Sequence, residues 1–313
     1  MKYTMLGIMM HGKCSAECDI CSVNSSPYCD QSLDVNRLEE ILFSCCNTEI
    51  RNVSFTGGEP FLEYSNLMRL IQCAVKNNLK PSVVTNGFWA INYDFTVHKI
   101  RELKQAGLAF INISYDKHHA KYIPHENIDY IIAACEKENL PYVIAITKMR
   151  EEKIGDILDS FHKDTICLKT IITNCQPAGR AKDNYSEDAF SNIIPIDDLK
   201  CMYDGVLTIH FSGKIFPCCA HQVFESELSI GDYRQIDVKE ALYRIKNNSI
   251  LYLLRNYGVN SILEMNEEVK KDIPAMVSSP CEVCAKLFMC DIQKKYFPSV
   301  NEKVKELIKN ESL

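Results

Sequence analysis

Over roughly the first 180 residues, short runs rich in β-branched and aromatic residues alternate with longer stretches whose apolar residues return every three or four positions. Strands are expected at 3–10, 51–55, 81–84, 110–114, 142–146 and 168–172, and helices at 35–46, 63–77, 95–106, 127–139 and 153–161. A strand, a crossover helix and a second strand build a parallel pair, so the alternation predicts an α/β fold. Six units are too few to close an eight-stranded barrel, which predicts an open, partial (β/α)6 TIM-like barrel over residues 1–183. A flat doubly wound sheet has the same local pattern.

Beyond Asn184 the alternation stops and cysteines take over: Cys201, a hairpin-like run turning at Gly213, the pair Cys218–Cys219, then Cys281, Cys284 and Cys290. Residues 184–313 are expected to form a second, cysteine-rich domain ending in a charged helix, with the polar segment 181–191 as the linker. Sixteen cysteines in a chain with no export-type segment point to a reducing compartment and to metal or thiol chemistry rather than disulfides. Cys45, Cys46, Cys73 and Cys135 fall in helical patterns, Cys167 and Cys175 flank a strand, and Cys29 lies in a loop. There a thiol is expected to pack as a small hydrophobe. A net charge of −6 with scattered Lys and Arg gives no basic field for nucleic acid, and no apolar stretch is long enough to cross a membrane. The expectation is a cytoplasmic protein with neither partner.

Three cysteines, Cys14-x3-Cys18-x2-Cys21, follow the first strand directly. Three thiolates on a four-iron cluster leave one iron open to a ligand, unlike the four-cysteine sites of electron carriers. The other strand ends are polar as well: Gly57-Gly58-Glu59-Pro60, Thr85-Asn86-Gly87, Ser114-Tyr115-Asp116, Thr147-Lys148 and 174–180. In a βα barrel these C-terminal ends face one mouth, so the polar residues collect where an active site belongs.

The cysteine spacing after strand one, with Gly57-Gly58-Glu59-Pro60 after strand two, resembles the radical S-adenosylmethionine (radical SAM) superfamily. The resemblance implies a [4Fe–4S] cluster on Cys14, Cys18 and Cys21 and SAM as cofactor. It implies that Gly57, Gly58 and Glu59 contact the methionine amine, and that Thr85, Asn86 and Ser114 meet the ribose or methionine part. Arg180 would pair with the SAM carboxylate, and Ile20 would lie against the adenine.

Cys201-x11-Gly213-x4-Cys218 with Cys281-x2-Cys284 resembles the short "twitch" auxiliary domain of peptide-modifying radical SAM enzymes, implying a second [4Fe–4S] cluster. A structural zinc site could use the same four thiolates. Cys290 is spare. Thr85–Trp89, Ile113–His119, Cys201–Asp204, Phe216–Cys219 and Cys281–Phe288 together resemble the radical SAM peptide epimerases of epipeptide precursors. That resemblance implies that Cys219 donates hydrogen and that Asp204 is a further active-site residue. It also implies a ribosomally synthesised precursor peptide as substrate, an electron donor such as flavodoxin or ferredoxin, and the auxiliary cluster as a route for resetting Cys219. The alternatives are a thioether-forming or dehydrogenating maturase, which does not need Cys219, and a non-catalytic iron–sulfur or zinc protein.

Overall fold

The computed structural model describes residues 2–153, 155, 169–191, 194–196, 199, 201 and 205–311. Six strands run parallel in chain order: β1 (Met5–Met9), β2 (Asn52–Thr56), β3 (Lys80–Thr85), β4 (Phe110–Ser114), β5 (Tyr142–Lys148) and β6 (Thr170–Asn174). Each pairs with the next, without the reversal of order that defines a doubly wound sheet. The winding is that of the open barrel. All six strands lie where the sequence places them, with ends shifted by a few residues. The helix expected at 153–161 lies outside the described residues except at 153 and 155.

Among the described residues, four crossover helices cover the sheet: α1 (Val35–Ser44), α2 (Tyr64–Lys76), α3 (Tyr93–Gln105) and α4 (His125–Glu138). Local chemistry sets their ends. Asp34 accepts from Arg37 N at 2.7 Å and Asn92 from Phe95 N at 2.9 Å, satisfying amides that have no partner inside the helix. Asn139 closes α4 in the left-handed conformation. Leu38, Ile41 and Leu42 of α1, Leu67, Leu70 and Ile71 of α2, and Ile128, Ile131 and Ile132 of α4 are buried against Leu6, Ile8, Val53, Phe55, Ile111 and Ile113 of the strands. Cys45 and Cys135 sit in this core. Cys167 lies outside the described residues.

Beyond Asn184 the chain returns to the barrel sheet. β8 (Val206–Ile209) pairs parallel with the free edge of β1, β9 (Lys214–Phe216) pairs antiparallel with β8, and β10 (Gly231–Asp232) with β9. The sheet therefore has nine strands in the order β10-β9-β8-β1-β2-β3-β4-β5-β6. The hairpin of the cysteine-rich region thus continues the barrel sheet. A separate pair, β7 (Ile194–Pro195) with β11 (Met276–Val277), precedes the helix Pro280–Leu287 that carries Cys281 and Cys284. Among the described residues, no helix is long and apolar enough to cross a membrane.

Candidate active site

The loop that carries Cys14, Cys18 and Cys21 is clamped from two strand ends. From the end of β2, Gly58 N donates to His11 O at 2.6 Å and Glu59 N to Lys13 O at 2.8 Å. A Cβ on Gly58 would lie 1.9 Å from Lys13 O, so only glycine permits this approach. From the end of β6, Gly179 packs so closely that a Cβ would lie 2.6 Å from Cys21 O. Arg180, next in the chain, donates from its backbone to Cys21 O (2.9 Å), from Nε to Cys18 O (2.9 Å) and from Nη2 to Ser25 O (2.5 Å). Its guanidinium thus braces the cysteine loop itself.

Glu59 lies behind the two glycines. Its side chain is fully buried, and its oxygens accept from Thr85 Oγ1 (2.8 Å), Asn86 N (2.7 Å) and Phe61 N (3.1 Å). In this structure its carboxyl group ties the ends of β2 and β3 together. Burial pushes its carboxyl up to about 7, against the pull of those three donors. Thr85 is equally occupied, since its hydroxyl also accepts from Gly87 N and Trp89 Nε1. Asn86 reaches the cysteines: Nδ2 lies 3.6 Å from Cys14 Sγ and 3.1 Å from Ser15 Oγ. Ser114 ends β4, half-buried, and Ile20 is buried with Met149, Cys175, Ala181 and Phe190 beside the ends of β5 and β6.

Several residues at this mouth were not singled out from the sequence. Buried Asp116 accepts from His118 N, His119 N and His119 Nδ1 at 2.9–3.0 Å. Burial raises its carboxyl, but the His119 charge and hydrogen bonds outweigh it and hold the group below the usual carboxylate range. Asp19, inside the cysteine loop, is held by Lys121 Nζ and His118 Nδ1 (both 2.7 Å) and Tyr185 OH (2.8 Å). The signal available for these was the His118-His119 pair following the strand-end Asp116.

The second set of cysteines also converges. Cys201, Cys218, Cys281 and Cys284 line one cavity with Leu251 and Arg255. Burial pushes the Cys218 thiol up to about 12 and raises Cys281 and Cys284 too; the neighbouring cysteines add to the rise, and Arg255 opposes it at Cys218 and Cys284. In the first loop burial likewise pushes Cys14 up to about 12 and raises Cys18. Thiols penalised as anions by burial and by one another suit a cationic metal core, which relieves both penalties. Burial alone raises the core thiol Cys135 as far; what marks the two sets as fit for thiolate-bound clusters is that their cysteines also penalise one another. Among the described residues, no three His, Cys, Asp or Glu side chains sit close enough to hold a single metal ion.

Cys219 differs from its neighbour. The pair lies beyond β9, whose last residue is Phe216, in a bend at Pro217 and Cys218. Cys219 is half-buried and lies outside the residues lining the four-cysteine cavity; burial raises its thiol. Two residues on, His221 Nδ1 is hydrogen-bonded to Ser22 Oγ, beside Cys21. His221 and Gln222 line a cleft whose other walls include Tyr185, Phe190, Lys286 and Met289. Cys290 is exposed at the start of the last helix, and Asp204 lies outside the described residues.

The sequence profile of the Radical SAM superfamily matches residues 8–163. YydG of Bacillus subtilis (strain 168), named as a candidate peptide biosynthesis protein, is 26% identical over 310 residues, covering 95% of this chain and 96% of its own length. GTP 3',8-cyclase of Campylobacter fetus subsp. fetus (strain 82-40) is 26% identical over 162 residues, 48% of each chain. Among solved structures, a tagged form of anSMEcpe with bound AdoMet superposes with a TM-score of 0.56 at 14% identity, covering 97% of this chain and 99% of that one. At that identity the likeness is one of fold.

Proposed function

We propose, on the premise that residues 8–163 make this chain a member of the radical SAM superfamily, that it converts L-residues to D-residues in a ribosomally synthesised precursor peptide. Full-length similarity to YydG, whose name refers to peptide biosynthesis, supports a peptide substrate. Solved anSMEcpe, of like fold, holds AdoMet and a peptide.

Cys14, Cys18 and Cys21 would hold one [4Fe–4S] cluster, and Cys201, Cys218, Cys281 and Cys284 a second. Bound at the first site, cluster and SAM supply a 5′-deoxyadenosyl radical able to remove an α-hydrogen atom. The chain's own part is to place the peptide and choose the face from which hydrogen returns. Arg180, Gly58 and Gly179 fix the cysteine loop, Asn86 lies against Cys14, and Arg180 is the candidate partner of the SAM carboxylate. Ile20 and Ser114 border the mouth. Cys219 donates its S–H hydrogen atom to the planar α-carbon, and the resulting thiyl needs one electron and one proton to become a thiol again. A flavodoxin or ferredoxin is the class of donor for that electron.

The observation that carries this reading is the Ser22–His221 bond. It fastens the segment two residues past Cys219 to the cysteine loop, at the wall of the cleft lined by His221 and Gln222. Two residues span at most about 7 Å, so Cys219 is held close to that cleft. The test uses a synthetic peptide copied from a short open reading frame adjacent to this chain's gene. Cys219→Ala should still form 5′-deoxyadenosine but no D-residue; D-residue formation at the parent level by this variant refutes the reading.

A further inference from the structure

We infer that Arg255 is the charge-compensating residue of the four-cysteine site, set there to favour its one-electron-reduced state. The inference rests on the reading that these four thiolates hold a [4Fe–4S] cluster.

Arg255 stands on the helix Ser249–Asn256 one turn after Leu251, which shares its face; both line the cavity, as does Leu254. Among the described residues, it is the one ionisable side chain besides the cysteines that lines that cavity; the others, such as Val223, Leu228 and Val259, are apolar. An arginine on an otherwise apolar helix stripe loses hydration, and that loss needs an offsetting partner. The partners present are neutral: Arg255 Nη2 donates to Tyr3 OH and to Pro217 O, the latter at 3.2 Å, and the guanidinium lies 5.3 Å from the centre of the Tyr3 ring. Tyr3 OH itself donates to Pro217 O at 2.8 Å. Among the described residues, no carboxylate forms an ion pair with Arg255. With a cluster bound, the anions facing it would be the cysteine thiolates that line the same cavity.

These bonds do more than satisfy the guanidinium. Pro217 immediately precedes Cys218, and Tyr3 leads into β1, so the cation is fixed between the barrel's first strand and a cluster ligand. A four-thiolate cluster becomes more negative by one charge when it accepts one electron, and net charge and nearby hydrogen bonds set its potential. A fixed cation at one wall therefore favours the reduced state.

The full chain carrying Cys14→Ala, Cys18→Ala and Cys21→Ala isolates the second site. After anaerobic reconstitution, iron and sulfide are counted and a dithionite titration is followed by electron paramagnetic resonance. Arg255→Gln should lower the midpoint by the equivalent of a tenfold change in the reduced-to-oxidised ratio, ~59 mV for one electron. Arg255→Lys, which keeps the charge, should stay near the parent. Loss of the cluster from Arg255→Gln with its retention in Arg255→Lys also supports the charge role, at the stage of assembly. Equal midpoints in all three proteins, or a Lys variant as defective as Gln, overturn the inference. Absence of a four-iron cluster from the parent background overturns the two-cluster reading beneath it.

Discussion

Ser22 and His221, 199 residues apart in sequence, are joined by a hydrogen bond between Oγ and Nδ1. The bond connects the loop of Cys14, Cys18 and Cys21 to the segment that leaves Cys218 and Cys219; under the proposed function it would help set the distance between the first site and Cys219. His221→Leu removes it without touching a cysteine. SAM cleavage should stay near the parent rate, while D-residues formed per 5′-deoxyadenosine fall about fivefold, the equivalent of one hydrogen bond worth about 1 kcal/mol. Quantifying both products in one reaction checks this; a proportional fall of both would show that the bond serves the first site alone.

Gly58→Ala tests the clamp on the cysteine loop. The added methyl would meet Lys13 O at 1.9 Å, and the Gly12–Lys13 backbone leaves it no room. The loop should be displaced and the first cluster lost, lowering iron by about four atoms per chain while the second site keeps its own. Iron and sulfide analysis with Mössbauer spectra reads this directly. A protein with the parent's iron and SAM cleavage would contradict the clamp.

The barrel was legible because each strand carries its own β-rich run and each helix its own period and cap, as with Asp34 before α1 and Asn92 before α3. The polar strand ends were legible for the same reason. What the sequence does not carry is pairing between distant segments. Nothing local to Val206–Ile209 shows that it docks on β1, and nothing around His221 or Arg255 points to Ser22 or Tyr3. A carboxylate beside two glycines also gives no sign in the sequence of the partners it holds. Only the fold shows its oxygens already taken by Thr85, Asn86 and Phe61.

Glu59 also gives a pH dependence with a definite sign. Its folded-state carboxyl is raised to about 7, whereas an unfolded glutamate titrates at about 4.3. The folded state thus binds the proton more tightly, so its contribution to stability is full below about pH 4.3 and declines as pH rises toward 7. Glu59→Gln removes that decline, but it turns an acceptor into an NH2 group facing donors, at a cost of about 1–3 kcal/mol. The variant should melt below the parent at pH 5, and the gap should narrow by pH 7.5. A gap independent of pH would mean that Glu59 stays ionised throughout.

The central claim is that Cys219 returns hydrogen to the α-carbon, and deuterated water tests it most directly. A thiol exchanges with solvent, so turnover of the peptide in D2O by the parent should add one mass unit for each residue that chiral amino-acid analysis identifies as D. A thioether former or dehydrogenase removes two hydrogens and yields a product about two mass units lighter. A lighter product without D-residues, or D-residues carrying no solvent deuterium, would contradict the account.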